Sequence, residues 1–353
     1  MNNPVDDLLR ISTPATDSLP PPLRLWHLSV GGFVISSLIV LAGKLQIADL
    51  LDSGPKTCDE LTRLTGTHAP SLYRILRALA SEGVFHEVEP GMFTQSRLSE
   101  FLRSDIPGSM RNLNGTFLDP AFCRSFSPEE VEYSVRTGKP AFEKVTGKSF
   151  FEHFSATDAG ADFHKAMTDM STMHSPALGA AYDFSQTSIL CDIGGGYGHL
   201  IGTILESNPE VSGILFDAPV VIEQARSAPA KEILRSRCQF ISGNFFEAVP
   251  AGAETYIMKW ILHDWDDDRA RMLLINVRKV ISSDGRLLIA DSVVPPGNFF
   301  EPSKLMDIIM LVGLSGLERT EAQFRDLLVT TGFRLARVIP TQCPLSIVEA
   351  APA

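Results

Sequence analysis

The 353-residue chain is acidic, with 42 Asp and Glu against 31 Lys and Arg and a formal net charge of −11. That balance argues against nonspecific affinity for nucleic acid or anionic membranes and favours work on a small molecule. The five cysteines, Cys58, Cys123, Cys191, Cys238 and Cys343, stand far apart with no CxxC pair and no metal-ligand spacing, so they read as reduced cytosolic thiols and no metal is expected.

Residues 1–22 are polar and end in three prolines, the composition of an arm or linker. Early acids at Asp6 and Asp7, and no basic region leading into an apolar core with a cleavage site, argue against a secretory signal, and a cytoplasmic location is expected. Residues 23–51 are apolar on nearly all sides and should form a buried helical stretch, packed for preference against a second subunit. Within it, residues 31–43 are uncharged, but a run of about 13 falls short of a bilayer and Lys44 ends it, so no membrane span is expected.

A compact pattern follows over 57–101. Residues 59–64 form a short helix that Gly66 ends. Pro70 and Ser71 open a second, in which Leu72, Ile75, Leu76 and Leu79 fall on one face and which Gly83 stops. Residues 84–88 and 92–94 flank a Pro90-Gly91 turn as a small hairpin. Helix, turn, helix and hairpin make a winged helix. Arg74 and Arg77 on the second helix would suit DNA, but acids outnumber bases over residues 1–110, where a DNA reader wants a basic face, and dimerisation is the better expectation.

Residues 112–160 are mixed, with helical pieces broken at Pro128, Gly138, Pro140 and Gly147, and SVRTGKP at 134–140 reads as a connector. From Phe163 a helical period returns through Met167, Met170 and Met173 to Leu178. A methionine stripe is usually core filling, although it can line an adaptable pocket for a flat apolar molecule.

After Leu190 strands at 189–193, 213–216, 238–242, 255–258 and 286–290 alternate with helices at 199–207, 220–226, 267–281 and 320–331, and a strand pair at 333–339 and 345–350 closes the chain. This pattern predicts a largely parallel, doubly wound α/β sheet with its ligands at the carboxyl ends of the strands. Domains are expected at 1–110 (arm and winged-helix dimerisation domain), 111–180 (helical connector contributing to an acceptor pocket) and 181–353 (catalytic domain).

Residues 189–200, ILCDIGGGYGHL, are a buried strand that closes on Asp192 and breaks into glycines before a helix. Such a turn brings backbone N–H groups and a helix N-terminus to an anionic ligand. Asp217 follows by about 20 residues, the offset at which an acid meets ribose hydroxyls. The spacing G-x-G-x-G, with His199 where the last dinucleotide glycine should fall, disfavours NAD. A cofactor bearing a carboxylate, a ribose and an adenine, such as S-adenosylmethionine, fits better. In MKWILHDWDDD at 258–268, His263 lies just beyond a strand end and suits a general base near neutral pH, with Asp291 or Glu318 as the carboxylate behind it. The plain alternatives are a surface-turn histidine, a solvated helix start at 264–268 and a charge beside the Thr320–Gln323 capping box.

Together CDIGGGYG at 191–198, FDAPVVI at 216–222, GNFF at 243–246, KWILHDW at 259–265, DGRLLIAD at 284–291 and ERT at 318–320 resemble the S-adenosylmethionine-dependent O-methyltransferases of the plant caffeic acid and acetylserotonin type, bacterial natural-product relatives included. LYRILRALASEGVF at 72–85 resembles that family's dimerisation domain, so the resemblance covers nearly the whole chain. It implies a Rossmann-like methyltransferase domain behind a mainly helical winged-helix dimerisation domain, and a homodimer that methylates a hydroxyl, with a phenol of a small aromatic secondary metabolite the expected acceptor and S-adenosylhomocysteine the product. By the same resemblance Asp192, Gly194 and Gly196 approach the methionine part of the cofactor, Asp217 holds the ribose, Phe245 and Trp265 flank the adenine, and Asn244 and Lys259 also make contact. His263 is the implied base, bracketed by Asp291 and Glu318, and Met167, Met170 and Met310 line the acceptor pocket. Three positions depart from the plant pattern: Asn244 for aspartate, Asp291 for glutamate and Met170 for histidine. Relatives that use the same cofactor site for decarboxylation or hydroxylation, and a ligand sensor built on the winged helix, are the competing readings.

Overall fold

The computed structural model describes residues 19–155, 159–227 and 231–353; most of the arm expected over residues 1–22 lies outside them. The chain divides into two compact units, Met1–Leu118 and Asp119–Ala353.

In the first unit a helix, α1, runs without a break from Pro21 to Lys44. Residues 23–51 were expected to form a buried helical stretch, for preference against a second subunit; most of the 24 residues of α1 are exposed within the chain, and by length and composition they could cross a membrane, a length that residues 31–43 alone were read as lacking. Gly31 and Gly32 do not break it. The helix widens into a π-helical turn over His27–Gly31, and Ser29, Ser36 and Ser37 hydroxyls donate to carbonyls within the helix, keeping the backbone paired. Short helix α2 (Ile47–Leu50) follows, then β1 (Lys56–Thr57), α3 (Cys58–Thr65), α4 (Ala69–Ser81), the hairpin β2 (Phe85–Glu89) and β3 (Met92–Gln95), α5 (Arg97–Glu100) and α6 (Arg111–Phe117). A Thr57–Glu60 capping box starts α3 and Gly66 in the left-handed region ends it. The three strands pair in the order β1-β3-β2, and Leu61, Leu72, Leu76, Leu79, Phe85 and Phe93 close a separate core beneath them. Strand β1 is two residues long, too short to leave a hydrophobic pattern in the sequence.

The second unit opens with α7 (Pro120–Ser125), α8 (Pro128–Thr137), α9 (Ala141–Thr146), α10 (Phe150–Ser155) and the long α11 (Ala159–Ala181). The open sheet then builds from β4 (Ile189–Ile193), α12 (His199–Ser207), β5 (Ser212–Asp217), α13 (Pro219–Ser227), α14 (Ile233–Arg237), β6 (Cys238–Ser242), β7 (Thr255–Lys259), α15 (Asp267–Val280), β8 (Arg286–Asp291), α16 (Pro302–Gly313), α17 (Glu321–Thr330), β9 (Phe333–Pro340) and β10 (Ser346–Pro352). Strand order is β6-β5-β4-β7-β8-β10-β9; the first five run parallel and β10 is inserted antiparallel between β8 and β9.

Alternation along the strands buries both faces. Cys191, Tyr256, Met258, Leu287 and Ile289 pack against α15 and α17 through Leu273, Leu274, Val277, Phe324 and Leu328. Leu190, Ile257, Leu288 and Ala290 face the other way, against Leu200, Ile201, Ile204 and Ile222 of α12 and α13 and Leu178 of α11. A sheet covered on both faces leaves its polar chemistry to the strand ends. Because β4 to β8 are parallel, Asp192, Asp217, Asn244, Lys259 and Asp291 all come to one edge.

Candidate active site

The chain turns from β4 into α12 through the glycine turn. Gly194 and Gly196 have φ of 67° and 58°, backbone that favours glycine. They serve different ends. A Cβ at Gly194 would overlap the Ile261 side chain, so that glycine permits close packing, whereas a Cβ at Gly196 would meet nothing within 4 Å. The Gly196 N–H donates to Asp217 Oδ2 at 2.8 Å, and the Ala218 N–H to Asp217 Oδ1 at 2.6 Å. The open cradle at Gly196 is thus edged by a carboxylate with acceptor lone pairs to spare.

Asp192 is 1% exposed, and its Oδ2 has no hydrogen-bond partner. Burial pushes its carboxyl up to about 7, against the pull of the Lys259 ammonium. Lys259 is itself pushed down to about 8, chiefly by burial, with Asp192 and Asp291 opposing. Its Nζ donates to Ser171 Oγ of α11 at 2.9 Å and lies 4.9 Å from the Trp260 ring centroid. Ser171 and His174, whose ring meets Trp260 edge to face at 5.0 Å, mark the inward face of α11. Met167 and Met170, half-buried, are one helical turn before them on the same face. Met310 is buried on α16.

At the end of β6, Asn244 turns its side chain onto its own loop, accepting from the Phe246 N–H at 3.0 Å and donating to Glu247 at 3.1 Å. Phe245 and Trp265 meet edge to face with centroids 6.1 Å apart, forming a corner rather than a parallel slot. The Trp265 Nε1–H is buried without a partner.

His263 sits in a single 3-10 turn, Leu262–Asp264, directly after β7. Trp260, with φ of 54°, swings the chain out of the strand; its N–H donates to both the Ala290 carbonyl at 3.2 Å and Asp291 Oδ1 at 3.0 Å, which holds a backbone that costs a non-glycine residue energy. The indole lies nearly parallel to the His263 ring, 9° off with centroids 6.1 Å apart. His263 Nδ1 is 2.7 Å from Glu318 Oε1, and Nε2 is 3.4 Å from Asp264 Oδ1. An ionised carboxylate can only accept, so Nδ1–H donates to Glu318 and Nε2 is the working nitrogen. Burial opposes charge on the ring, but Asp264, the Glu318 hydrogen bond and charge, and Asp291 outweigh it and push His263 up to about 9.

The two carboxylates named for His263 therefore play unequal parts. Glu318 hydrogen-bonds the ring; Asp291 spends Oδ1 on the Trp260 N–H, leaves Oδ2 unpaired, and reaches the ring by charge alone. Asp264, grouped with a solvated helix start in the sequence, has a side chain only 15% exposed against His263; Asp266 is the residue that caps α15, accepting from the Arg269 N–H. Adjacency to His263 in a tight turn was its only signal. Ser171, Gly316 and Arg319 escaped the sequence reading.

The model of the O-methyltransferase domain matches residues 129–334, and that of the O-methyltransferase dimerisation domain matches residues 26–105. The chain belongs to the S-adenosylmethionine-dependent O-methyltransferases. It is 41% identical over 92% of its length to the phenazine O-methyltransferase PhzM of Lysobacter antibioticus, covering 94% of that protein. The crystal structure of LaPhzM superposes with a TM-score of 0.86 at 40% identity, over 95% of this chain and 100% of that one. CalO1, a methyltransferase of calicheamicin biosynthesis solved in its S-adenosylhomocysteine-bound form, matches with a TM-score of 0.84 at 32% identity, over 95% and 100% of the two chains. The 8-amino-8-demethylriboflavin N,N-dimethyltransferase of Streptomyces davaonensis is 31% identical over 92% of this chain and 94% of its own length. This O-methyltransferase is thus of the natural-product type and, as family membership implies, depends on S-adenosylmethionine. Its winged-helix segment lies within the match to the dimerisation domain. Among the described residues no group of three or more His, Cys, Asp or Glu could hold a metal ion.

The donor set fits the cofactor. The Asp217 carboxylate at the edge of the Gly196 cradle suits a vicinal diol, Asp192 with its unpartnered Oδ2 suits an ammonium, the Lys259 ammonium suits a carboxylate, and the Phe245/Trp265 corner suits a flat base.

Proposed function

We propose that this enzyme is a cytoplasmic homodimer that methylates a phenolic hydroxyl of a small, flat aromatic metabolite, with His263 as general base. The observation that carries the reading is the buried His263–Glu318 pair at the ligand edge of the sheet, 2.7 Å between Nδ1 and Oε1. S-adenosylmethionine supplies the electrophilic sulfonium-bound methyl group. Gly194, Gly196 and Asp192 hold its methionine part with Lys259, Asp217 takes the ribose hydroxyls, and Asn244, Phe245 and Trp265 receive the adenine. Met167, Met170 and Met310 form an apolar wall for the acceptor.

His263 Nε2 accepts the hydroxyl proton as the oxygen attacks the methyl carbon. Glu318 keeps Nδ1 protonated and the ring oriented, and the Asp264 carboxylate beside Nε2 stabilises the imidazolium that forms. A phenol has a reference pKa of about 10, so a histidine held near 9 takes its proton almost thermoneutrally. The same dyad favours oxygen over nitrogen as the acceptor atom. A neutral arylamine attacks with its own lone pair and needs no base beforehand, whereas a phenol needs its proton removed. Acceptor positioning beside a fixed base supplies the rest of the acceleration.

The test is calorimetric binding of S-adenosylmethionine followed by a mass-shift screen against phenols, led by a hydroxyphenazine, in wild type and His263→Ala. A gain of one methyl on a phenol, with the variant binding cofactor normally but turning over about 10²- to 10⁴-fold more slowly, supports the reading. Wild-type turnover in the variant removes His263 from the role. Binding without methyl gain on any acceptor favours decarboxylation or hydroxylation.

A further inference from the structure

The turn that carries His263 is weakly held by its own hydrogen bonds. Asp264 N–H to Ile261 O and Trp265 N–H to Leu262 O are both 3.3 Å long, and three residues of 3-10 helix have little stability of their own. Its remaining polar groups are gripped from outside by consecutive residues of one distant segment. The Leu317 N–H donates to the His263 carbonyl at 2.9 Å. Glu318 holds the His263 ring. The Arg319 guanidinium, in a residue 1% exposed, donates through Nη1 to Leu262 O at 3.1 Å and through Nη2 to Trp265 O at 3.0 Å, with Nε and Nη2 on Asp267 Oδ1 at 3.2 and 2.9 Å. That segment is anchored in turn, by Val294 N–H to Arg319 O at 3.0 Å and Glu318 N–H to Asp307 Oδ1 at 2.9 Å. Gly316 lets the two strands of chain come this close. A Cβ there would overlap the His263 carbonyl oxygen and lie 2.6 Å from the Asp264 carbonyl carbon, and backbone cannot step aside as a side chain can.

We propose that Gly316, Leu317 and Arg319 form a clamp on the catalytic turn, and that Arg319 is a positioning residue that sets the His263–Glu318 geometry for methyl transfer. The catalytic part of this rests on the reading of His263 as base. Because Glu318 is flanked by two residues that each bind the His263 turn, its backbone cannot move away from His263 without breaking bonds on both sides, and burial of its side chain limits the rest. Only a planar fork reaches two carbonyls and a carboxylate at once, which is work for arginine and not for lysine.

The decisive readout is independent of turnover: titration of the His263 imidazole by NMR in the ligand-free protein, assigned by comparison with His263→Ala. The groups facing the ring are Asp264, Glu318 and Asp291, and Arg319 itself faces Asp291, Asp307 and Asp267. If Arg319 acted only as a nearby positive charge, Arg319→Ala would raise the His263 pKa. Loss of the clamp lets Glu318 withdraw and lowers it instead, from about 9 toward 6.5. Arg319→Ala is also expected to bind S-adenosylmethionine normally and to lose about 10²-fold in kcat toward a hydroxyphenazine, the cost of an ångström of misplacement, with guanidinium restoring part of the loss and Arg319→Lys failing to replace it. An unchanged or raised His263 pKa in a folded Arg319→Ala protein overturns the clamp. Should that variant not fold, Gly316→Ala, which displaces the His263 backbone and touches no charge, must lower the pKa in the same sense; an unaltered titration there overturns the proposal equally. Full activity in His263→Ala would instead refute the base and leave the NMR result to judge the clamp alone.

Discussion

His263 Nδ1 stands 2.7 Å from Glu318 Oε1, and the glutamate side chain has no exposed surface. The pair joins residues 55 apart, across the turn after β7 and the loop before α17, so it exists only in the folded chain. It follows that the proton on His263 is linked to folding. The folded pKa near 9 exceeds the unfolded value of about 6.5, so the pair stabilises fully below pH 6.5, and that contribution is lost as pH rises through 9. Glu318→Gln removes the charge that holds the proton. The Tm difference between wild type and Glu318→Gln, followed by differential scanning fluorimetry, should shrink between pH 6.5 and 9. A difference that stays constant across this window would refute the linkage.

With His263 as the proposed base, the same pair should set the pH dependence of catalysis. A base must be deprotonated to act, so kcat/KM in wild type should climb with pH toward 9, and in Glu318→Gln the rise should come at lower pH with a plateau reduced on the order of 10²- to 10⁴-fold. Initial rates with a hydroxyphenazine from pH 6 to 10 would check this. A wild-type profile already flat at pH 7 would contradict it.

The glycine turn separates fold from binding. Gly194→Ala drives a methyl into Ile261, next to the His263 turn, and adds strain at positive φ; Gly196→Ala carries comparable strain, of about 1–2 kcal/mol, but projects into open space. Gly194→Ala should therefore lower Tm more, and Gly196→Ala should cost relatively more cofactor affinity. Thermal melts and calorimetry on the two variants would show it, and an equal affinity loss with equal melting would remove the cradle role from Gly196.

Asp217 receives two backbone N–H groups, one on each oxygen, and edges the cradle. Asp217→Asn turns one of those acceptors into a donor facing an N–H and weakens what remains for two ribose hydroxyls. Hydrogen bonds to a charged group contribute about 1.5–3 kcal/mol, so S-adenosylmethionine affinity should fall on the order of 10- to 10²-fold. Unchanged affinity by calorimetry would place the ribose elsewhere.

Much of this site could be read from the sequence because it lies at strand ends. A strand buried on both faces is an apolar run, and the polar residue at its carboxyl end, Asp192, Asp217 or Asp291, marks the edge where ligands are expected. His263 stood out for the same reason. Arg319 did not, although it lies beside Glu318 in ERT, because its partners Leu262, Trp265 and Asp267 lie more than 50 residues away and two of the contacts are to carbonyls, which every residue has. Asp264 was hidden by its neighbours: a run of acids reads as a solvated helix start, and only the fold shows that Asp266 caps the helix while Asp264 turns toward the histidine. The spanning length of α1 was missed because only the uncharged run 31–43 was counted, whereas the helix starts at Pro21 and passes through Arg24 and a π-helical turn.

The exposed face of α1 has the last testable consequence. Leu25, Trp26, Leu28 and Phe33 are 68%, 57%, 66% and 75% exposed within one chain, and most of this helix lies in the segment that matches the dimerisation domain. Burying a Leu or Phe side chain stabilises by about 1.5–3 kcal/mol, and in a two-fold interface each substitution acts twice. Leu28→Glu combined with Phe33→Glu places four desolvated charges in such an interface and should turn a dimer into a monomer at micromolar concentration by sedimentation equilibrium. Neither side chain contributes to the core of its own unit, so far-ultraviolet circular dichroism should be unchanged. The wild-type dimer, with this face covered, is expected not to float with phosphatidylcholine vesicles. A double variant that stays dimeric would show that α1 is not the contact, and flotation of the wild-type protein would show that its apolar length serves a membrane instead.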